Sequence, residues 1–130
     1  MAFVELSALS NFTFLHGASH PEEVMARAAE MGMAGVAVAD VNSVAGIVRA
    51  HAHARELARL AAEEERVWPG SRLIPAARIV LRDGFSVTCL PEDRAGWGRL
   101  CRMISLGRLR VEKGACDLGP DDLLDWGAGM

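Results

Sequence analysis

No stretch of this chain approaches the roughly 18 apolar residues that a membrane span needs. No secretory leader is expected either, because Glu5 interrupts the only apolar opening. An excess of basic charge is missing too. There are 14 Lys and Arg against 17 Asp and Glu, for a net charge of −3 and a pI near 5.8. A nucleic-acid footprint would be basic, so direct DNA binding by this segment alone is disfavoured. Cysteine is scarce: Cys89, Cys101 and Cys116 are odd in number, and no Cys-x-x-Cys occurs. That excludes a disulfide framework and a zinc knuckle, and a reducing cytosol is the implied compartment. Tyrosine is absent, which by itself excludes nothing. What remains is ordinary for a soluble globular protein, with 51% apolar and 24% charged residues in a chain of 130. That is one domain or a piece of one, long enough to bury about two-thirds of its unfolded surface.

Phe3 to Leu9 reads as a strand, and Ser10 to His20 as a polar turn region with Phe12 and Phe14 interleaved. Ser19 or His20 caps a first helix. Pro21 suits its first turn, and Glu22 and Glu23 favour its positive end. Val24, Ala28 and Met31 follow at helical spacing, and Gly32 ends the helix. Gly35 to Ala39 is a continuous apolar run, as expected of a strand covered on both faces. Asp40 to Ser43 is the loop at its carboxyl end. A second helix is predicted from about Val44 to Arg66, stopped by Trp68-Pro69-Gly70. Leu73 to Leu81 and Phe85 to Leu90 are β-rich, with the hairpin signal Asp83-Gly84 between them. A third helix spans about Glu92 to Leu106, where Trp97, Leu100, Cys101 and Ile104 share a face. Arg108 to Gly114 is a basic loop, and Pro120 to Trp126 a short last helix.

Alternating strands and helices predict an α/β fold with a mainly parallel sheet. Chemistry in such folds gathers at the carboxyl ends of the strands. That points to Ser7 to His16, Asp40 to Ser43 and the end of the Leu73 strand.

Those loops carry a family resemblance. The run from Phe3 to Ala18 resembles the opening motif of the polymerase and histidinol phosphatase (PHP) domain of the DNA polymerase III alpha family. Val38 to Gly46 resembles the second motif. Leu-Ser-Asn-Phe at 9–12, Gly-Ala-Ser-His-Pro at 17–21 and Val-Arg-Ala-His at 48–51 are similar to the error-prone, DnaE-type branch. So are Asp-Arg-Ala-Gly-Trp at 93–97 and Glu-Lys-Gly at 112–114. The resemblance implies an irregular β/α barrel with mainly parallel strands, only partial here. Family domains in polymerases are longer than 130 residues, so residues 1–130 would be the N-terminal portion and the last strands are expected to be missing.

The resemblance also implies where a metal cluster would sit in active members. The family's first His-x-His falls on Ser7 and Leu9, a further ligand on His16, and the Asp-His motif on Asp40-Val41. A glutamate position aligns with Arg78 and a later histidine position with Ser86. Serine is a poor ligand for a transition metal, leucine and valine offer no donor, and arginine is a permanent cation. His16 alone retains a competent imidazole and is the one weak metal candidate. No metal and no catalytic residue are expected in this segment.

Plainer readings stand beside these. His16 reads as a loop histidine and Asp40 as an acceptor of backbone N–H groups that shapes its turn. An ion pair between Arg78 and Asp40 would fill the former metal site. His51-Ala52-His53 lies on a helix, where residues two apart diverge by about 200°, so it is not a metal pair. Glu63 to Glu65 reads as a solvated helix end, Arg108 to Lys113 as a solvated loop, and Trp97 and Cys101 as core.

The functional expectation is a non-catalytic scaffold segment of an error-prone translesion polymerase. The parent would use magnesium for template-directed DNA synthesis in damage repair and induced mutagenesis. Its catalytic carboxylates lie outside this segment. Partners would be the rest of the polymerase chain and mutasome accessory proteins, with DNA contacted only through the parent, in the cytoplasm. The alternatives are a residual metal-dependent phosphoesterase and a stand-alone interaction module. An unpaired sheet edge would favour a homodimer of the fragment.

Overall fold

The computed structural model describes residues 2–67 and 70–130. The elements run β1 (Val4–Ala8), α1 (Pro21–Glu30), β2 (Gly35–Val38), α2 (Ala45–Glu63), β3 (Arg72–Pro75), β4 (Ala77–Val80), β5 (Ser86–Cys89), α3 (Arg94–Leu109) and α4 (Pro120–Trp126). β1, β2 and β3 form a parallel sheet in that order, with β2 at the centre. Its position explains its composition, since all four of its residues are buried. Met25 and Ala28 of α1 and Ile47 and Ala50 of α2 close over Val36 and Val38. Ala37, Ala39 and Ala76 form a second, smaller cluster.

The β-rich run from Leu73 to Leu81 is two strands, not one. Pro75 is the last residue of β3 and has no N–H to continue a ladder. Beyond Ala76 the chain changes partner, and β4 pairs antiparallel with β5. β4 still touches the end of the parallel sheet through an isolated bridge between Val41 and Arg78. The hairpin closes where Leu81 N–H donates to Phe85 O at 2.8 Å. Gly84 has φ 88°, a left-handed conformation that glycine adopts without a Cβ clash. Ile79, Leu100, Met103 and Leu118 are fully buried and join β4, α3 and the segment leading into α4 in the largest core cluster. Trp97 is half-buried and packs on both large clusters, tying the two sheets together.

Helix ends follow local chemistry. His20 precedes α1, and its N–H donates to Glu23 Oε2 at 2.7 Å. α3 starts later than predicted because Asp93 caps it, accepting from Gly96 N–H at 2.7 Å. α3 also runs further, so Arg108 is helical rather than part of a loop. α2 ends at Glu63, three residues earlier than Arg66. Glu65 takes φ 52°, and Arg66 N–H donates back to Ala61 O at 2.8 Å. Trp68 and Pro69, predicted to stop this helix, lie outside the described residues.

Candidate functional site at the carboxyl ends of the strands

β1 gives way to a loop that folds over the carboxyl end of the sheet. Turns hold it: Thr13 N–H donates to Ser10 O at 3.0 Å, and Gly17 N–H to Thr13 O at 2.9 Å. Gly17 is required by close approach, since a Cβ there would lie 2.0 Å from Ser10 O.

Asp40 follows β2 and is 1% exposed. Its carboxylate accepts three hydrogen bonds from the β1 loop. Ser10 N–H donates to Oδ1 at 2.8 Å, Ser10 Oγ to Oδ2 at 2.6 Å, and Thr13 Oγ1 to Oδ1 at 2.7 Å. Thr13 Oγ1 also accepts Val41 N–H at 3.0 Å. A buried carboxylate needs this kind of matching, because an unpaired one is expensive.

The predicted ion pair between Asp40 and Arg78 does not form among the described residues. The carboxylate is already taken by Ser10 and Thr13. The two residues meet instead through the backbone, where Arg78 N–H donates to Asp40 O at 3.0 Å. Asn42 extends the seam. Its N–H donates to Arg78 O at 2.9 Å, its Nδ2 to Val80 O at 3.2 Å, and its Oδ1 accepts Val80 N–H at 3.0 Å. Asn42 has φ 47°, a conformation asparagine tolerates better than most residues.

In front of Thr13 lies a cavity of about 520 Å³. Five of the seven sequence-predicted positions line it: Leu9, His16, Val41, Arg78 and Ser86. Asp40 is withdrawn behind Thr13. Ser7 is exposed and outside the lining, with its N–H and hydroxyl both on Glu5 Oε1 at 2.8 and 3.3 Å. The cause is a register shift: Glu5 faces Val36 and Ala8 faces Val38, so β1 carries one extra residue there. Such a bulge breaks the two-apart rule that would set Ser7 and Leu9 on one face.

His16 is exposed on the rim, and among the described residues no three His, Cys, Asp or Glu side chains converge to hold a metal ion. The donor set present does not fit a hydrolytic metal cluster, which needs several nitrogen or carboxylate ligands around each ion. The thiols offer no substitute. Burial pushes Cys89, Cys101 and Cys116 above the ordinary thiol range, which keeps them protonated.

Sequence reasoning missed Ser10, Thr13 and Arg108. Arg108 is exposed, in keeping with a solvated reading, but its Nε and Nη2 also donate to Asn42 O at 3.1 and 2.6 Å. Arg110 is likewise engaged, bidentate to Asp122 at 2.8 and 2.9 Å. The hydroxyls at Ser10 and Thr13, three apart in a loop after a strand, were the available signal.

The family model for the PHP domain matches residues 5–125, so the chain belongs to the PHP domain family. Within it, the chain is similar to error-prone DNA polymerases. It is 42% identical to that of Rhodopirellula baltica over all of this chain and 10% of the relative. It is 45% identical to error-prone DNA polymerase 1 of Rhizobium meliloti over 95% of this chain and 10% of the relative. For Sinorhizobium medicae the figures are 46%, 96% and 10%. The chain thus spans about a tenth of the length of these relatives. Two solved structures share the fold. One, from Bifidobacterium adolescentis, is described as a metal-dependent phosphoesterase; it is 20% identical with a TM-score of 0.55, over 84% of this chain and 35% of that one. The other is an amidohydrolase from Chromobacterium violaceum solved with sulfate and no metal; it is 23% identical with a TM-score of 0.58, over 83% and 34%. The architecture is therefore a partial PHP-type barrel with a parallel sheet.

Proposed function

We propose that this chain is a non-catalytic scaffold segment of an error-prone translesion DNA polymerase. The observation that carries this reading is the fate of the metal positions. Ser7 has left the cavity, Asp40 is locked to Ser10 and Thr13, and Leu9, Val41 and Arg78 cannot ligate. The parent would carry out magnesium-dependent DNA synthesis in damage repair, in the cytoplasm, with catalytic carboxylates elsewhere in its chain. This segment would contribute packing against the rest of the polymerase and a surface for accessory proteins. Its similarity to error-prone polymerases of several bacteria supports that setting.

The test is a phosphomonoesterase assay on the purified chain with zinc, manganese or magnesium added. The expected result is turnover no faster than buffer with metal. Metal-dependent turnover that saturates with substrate would overturn the scaffold reading in favour of a residual phosphoesterase.

A further inference from the structure

α3 and α4 carry opposite charge, and neither uses all of it inside the chain. α3 holds four arginines and no carboxylate; α4 holds three aspartates and no cation. Three of these groups have internal partners. Arg99 Nε donates to Ala128 O at 2.6 Å, Arg108 donates to Asn42 O, and Asp122 accepts from Arg110. The other four, Arg94, Arg102, Asp121 and Asp125, are exposed and take part in no ion pair among the described residues.

Two of the four oppose their own helix. Arg94 is the first residue of α3, at its positive end, and Asp125 is next to last in α4, at its negative end. An opposite charge from outside relieves both. Arg94 and Arg102 also flank Gly98, and at about 100° per residue three positions four apart share one stripe. The other two glycines of α3 are required by contact. A Cβ at Gly96 would lie 2.3 Å from Gly129 O, and one at Gly107 2.7 Å from the Leu118 side chain. A Cβ at Gly98 would meet nothing within 4 Å. Glycine weakens a helix interior, and no contact among the described residues requires it at Gly98; it lets a second backbone come close. Leu109 of α3 and Leu124 of α4 are 83% and 82% exposed, so each helix also offers an apolar side chain.

We propose that these two helix faces form one self-complementary interface whose occupant is a second copy of this chain. α3 of each copy lies over α4 of the other, and a single two-fold axis matches the unspent charges twice. Charge complementarity selects this occupant, because the chain itself supplies both halves of the match. The interface goes beyond the scaffold reading and uses none of the residues that line the cavity in front of Thr13.

The experiment is sedimentation equilibrium of the chain over a range of concentrations, at low and raised salt. A dimer is expected with a Kd of about 100 μM at about 50 mM salt, weakened about tenfold at about 0.5 M salt. Arg94→Glu with Arg102→Glu leaves one face wholly acidic, and Asp121→Lys with Asp125→Lys leaves it wholly basic. Each double variant should be weakened about tenfold or more, while an equimolar mixture of the two forms a heterodimer. The remote Arg55→Glu should leave the Kd within about twofold. A strictly monomeric chain would overturn the interface, and so would a dimer that survives either double variant, which would place the contact at the open sheet edge. A chain that stays monomeric while the arginine stripe binds a DNA duplex would also overturn it. Should a charge reversal fail to fold, the neutral Arg102→Gln and Asp125→Asn decide, each expected to weaken the dimer about threefold. A failure here is separate from a failure of the scaffold reading, which metal-dependent turnover alone would cause.

Discussion

The polar cluster behind the cavity and the wall of the cavity itself lie on either side of Thr13, and they differ in how fully their groups are matched. Behind, the Asp40 carboxylate accepts from Ser10 N–H, Ser10 Oγ and Thr13 Oγ1. In front, Arg78 and Arg108 face a shared space with no carboxylate. Backbone groups join the two regions: Arg78 N–H donates to Asp40 O, His16 N–H to Thr13 O and Val41 N–H to Thr13 Oγ1. The difference separates side chains committed to the fold from Arg78, whose guanidinium has no polar partner among the described residues. Groups that hold the fold are sequestered and satisfied.

The sharpest way to break this contrast is to remove the buried acceptor. Asp40→Ala leaves two hydroxyls and one N–H without their acceptor in a buried place, and should cost about 3–5 kcal/mol in urea unfolding. Thr13→Val deletes one donor to Asp40 and the acceptor for Val41 N–H, at about 2 kcal/mol by the same measurement. Arg78→Gln, on the open side, should move stability by less than about 0.5 kcal/mol, because its guanidinium has no hydrogen bond or ion pair among the described residues to lose. A cost for Arg78→Gln as large as that for Thr13→Val would erase the distinction.

A smaller effect sharpens it at a paired charge elsewhere. Hydrogen bonds from Arg110 hold the Asp122 carboxyl below the usual carboxylate range, and Gly119 N–H adds to this against the opposing effect of burial. A depressed folded pKa gives stability that is fully present above the unfolded value of about 4 and lost as pH falls through the folded value. Asp122→Asn should therefore flatten the acid limb of the stability profile below about pH 4 while leaving its shape near neutrality unchanged. An unaltered acid limb in that variant would assign the limb to other carboxylates.

Local signals announced the elements well. Pro21 with Glu22 and Glu23, the all-apolar Gly35 to Ala39 run, and Asp83-Gly84 each mark a feature that their own neighbours determine. The single strand predicted from Leu73 to Leu81 failed because the change of partner at Ala76 depends on β2 and β5, not on β-propensity. The site divides the same way. Leu9, His16, Val41, Arg78 and Ser86 reach one cavity because each lies near a strand end. Ser7 lies outside that lining, at a bulge that only pairing with β2 creates. The partners of Asp40 lie 27 and 30 residues away in sequence, beyond any local pattern. Arg108 approaches Asn42 across 66 residues for the same reason.

The proposed scaffold role depends on Leu9, His16, Val41 and Arg78 offering a metal one competent donor, His16. Metal content of the chain, purified without chelator and measured by plasma mass spectrometry, addresses this directly. The expected result is far less than one equivalent of zinc, manganese or iron, unchanged by His16→Ala. Stoichiometric metal that disappears in His16→Ala would contradict it.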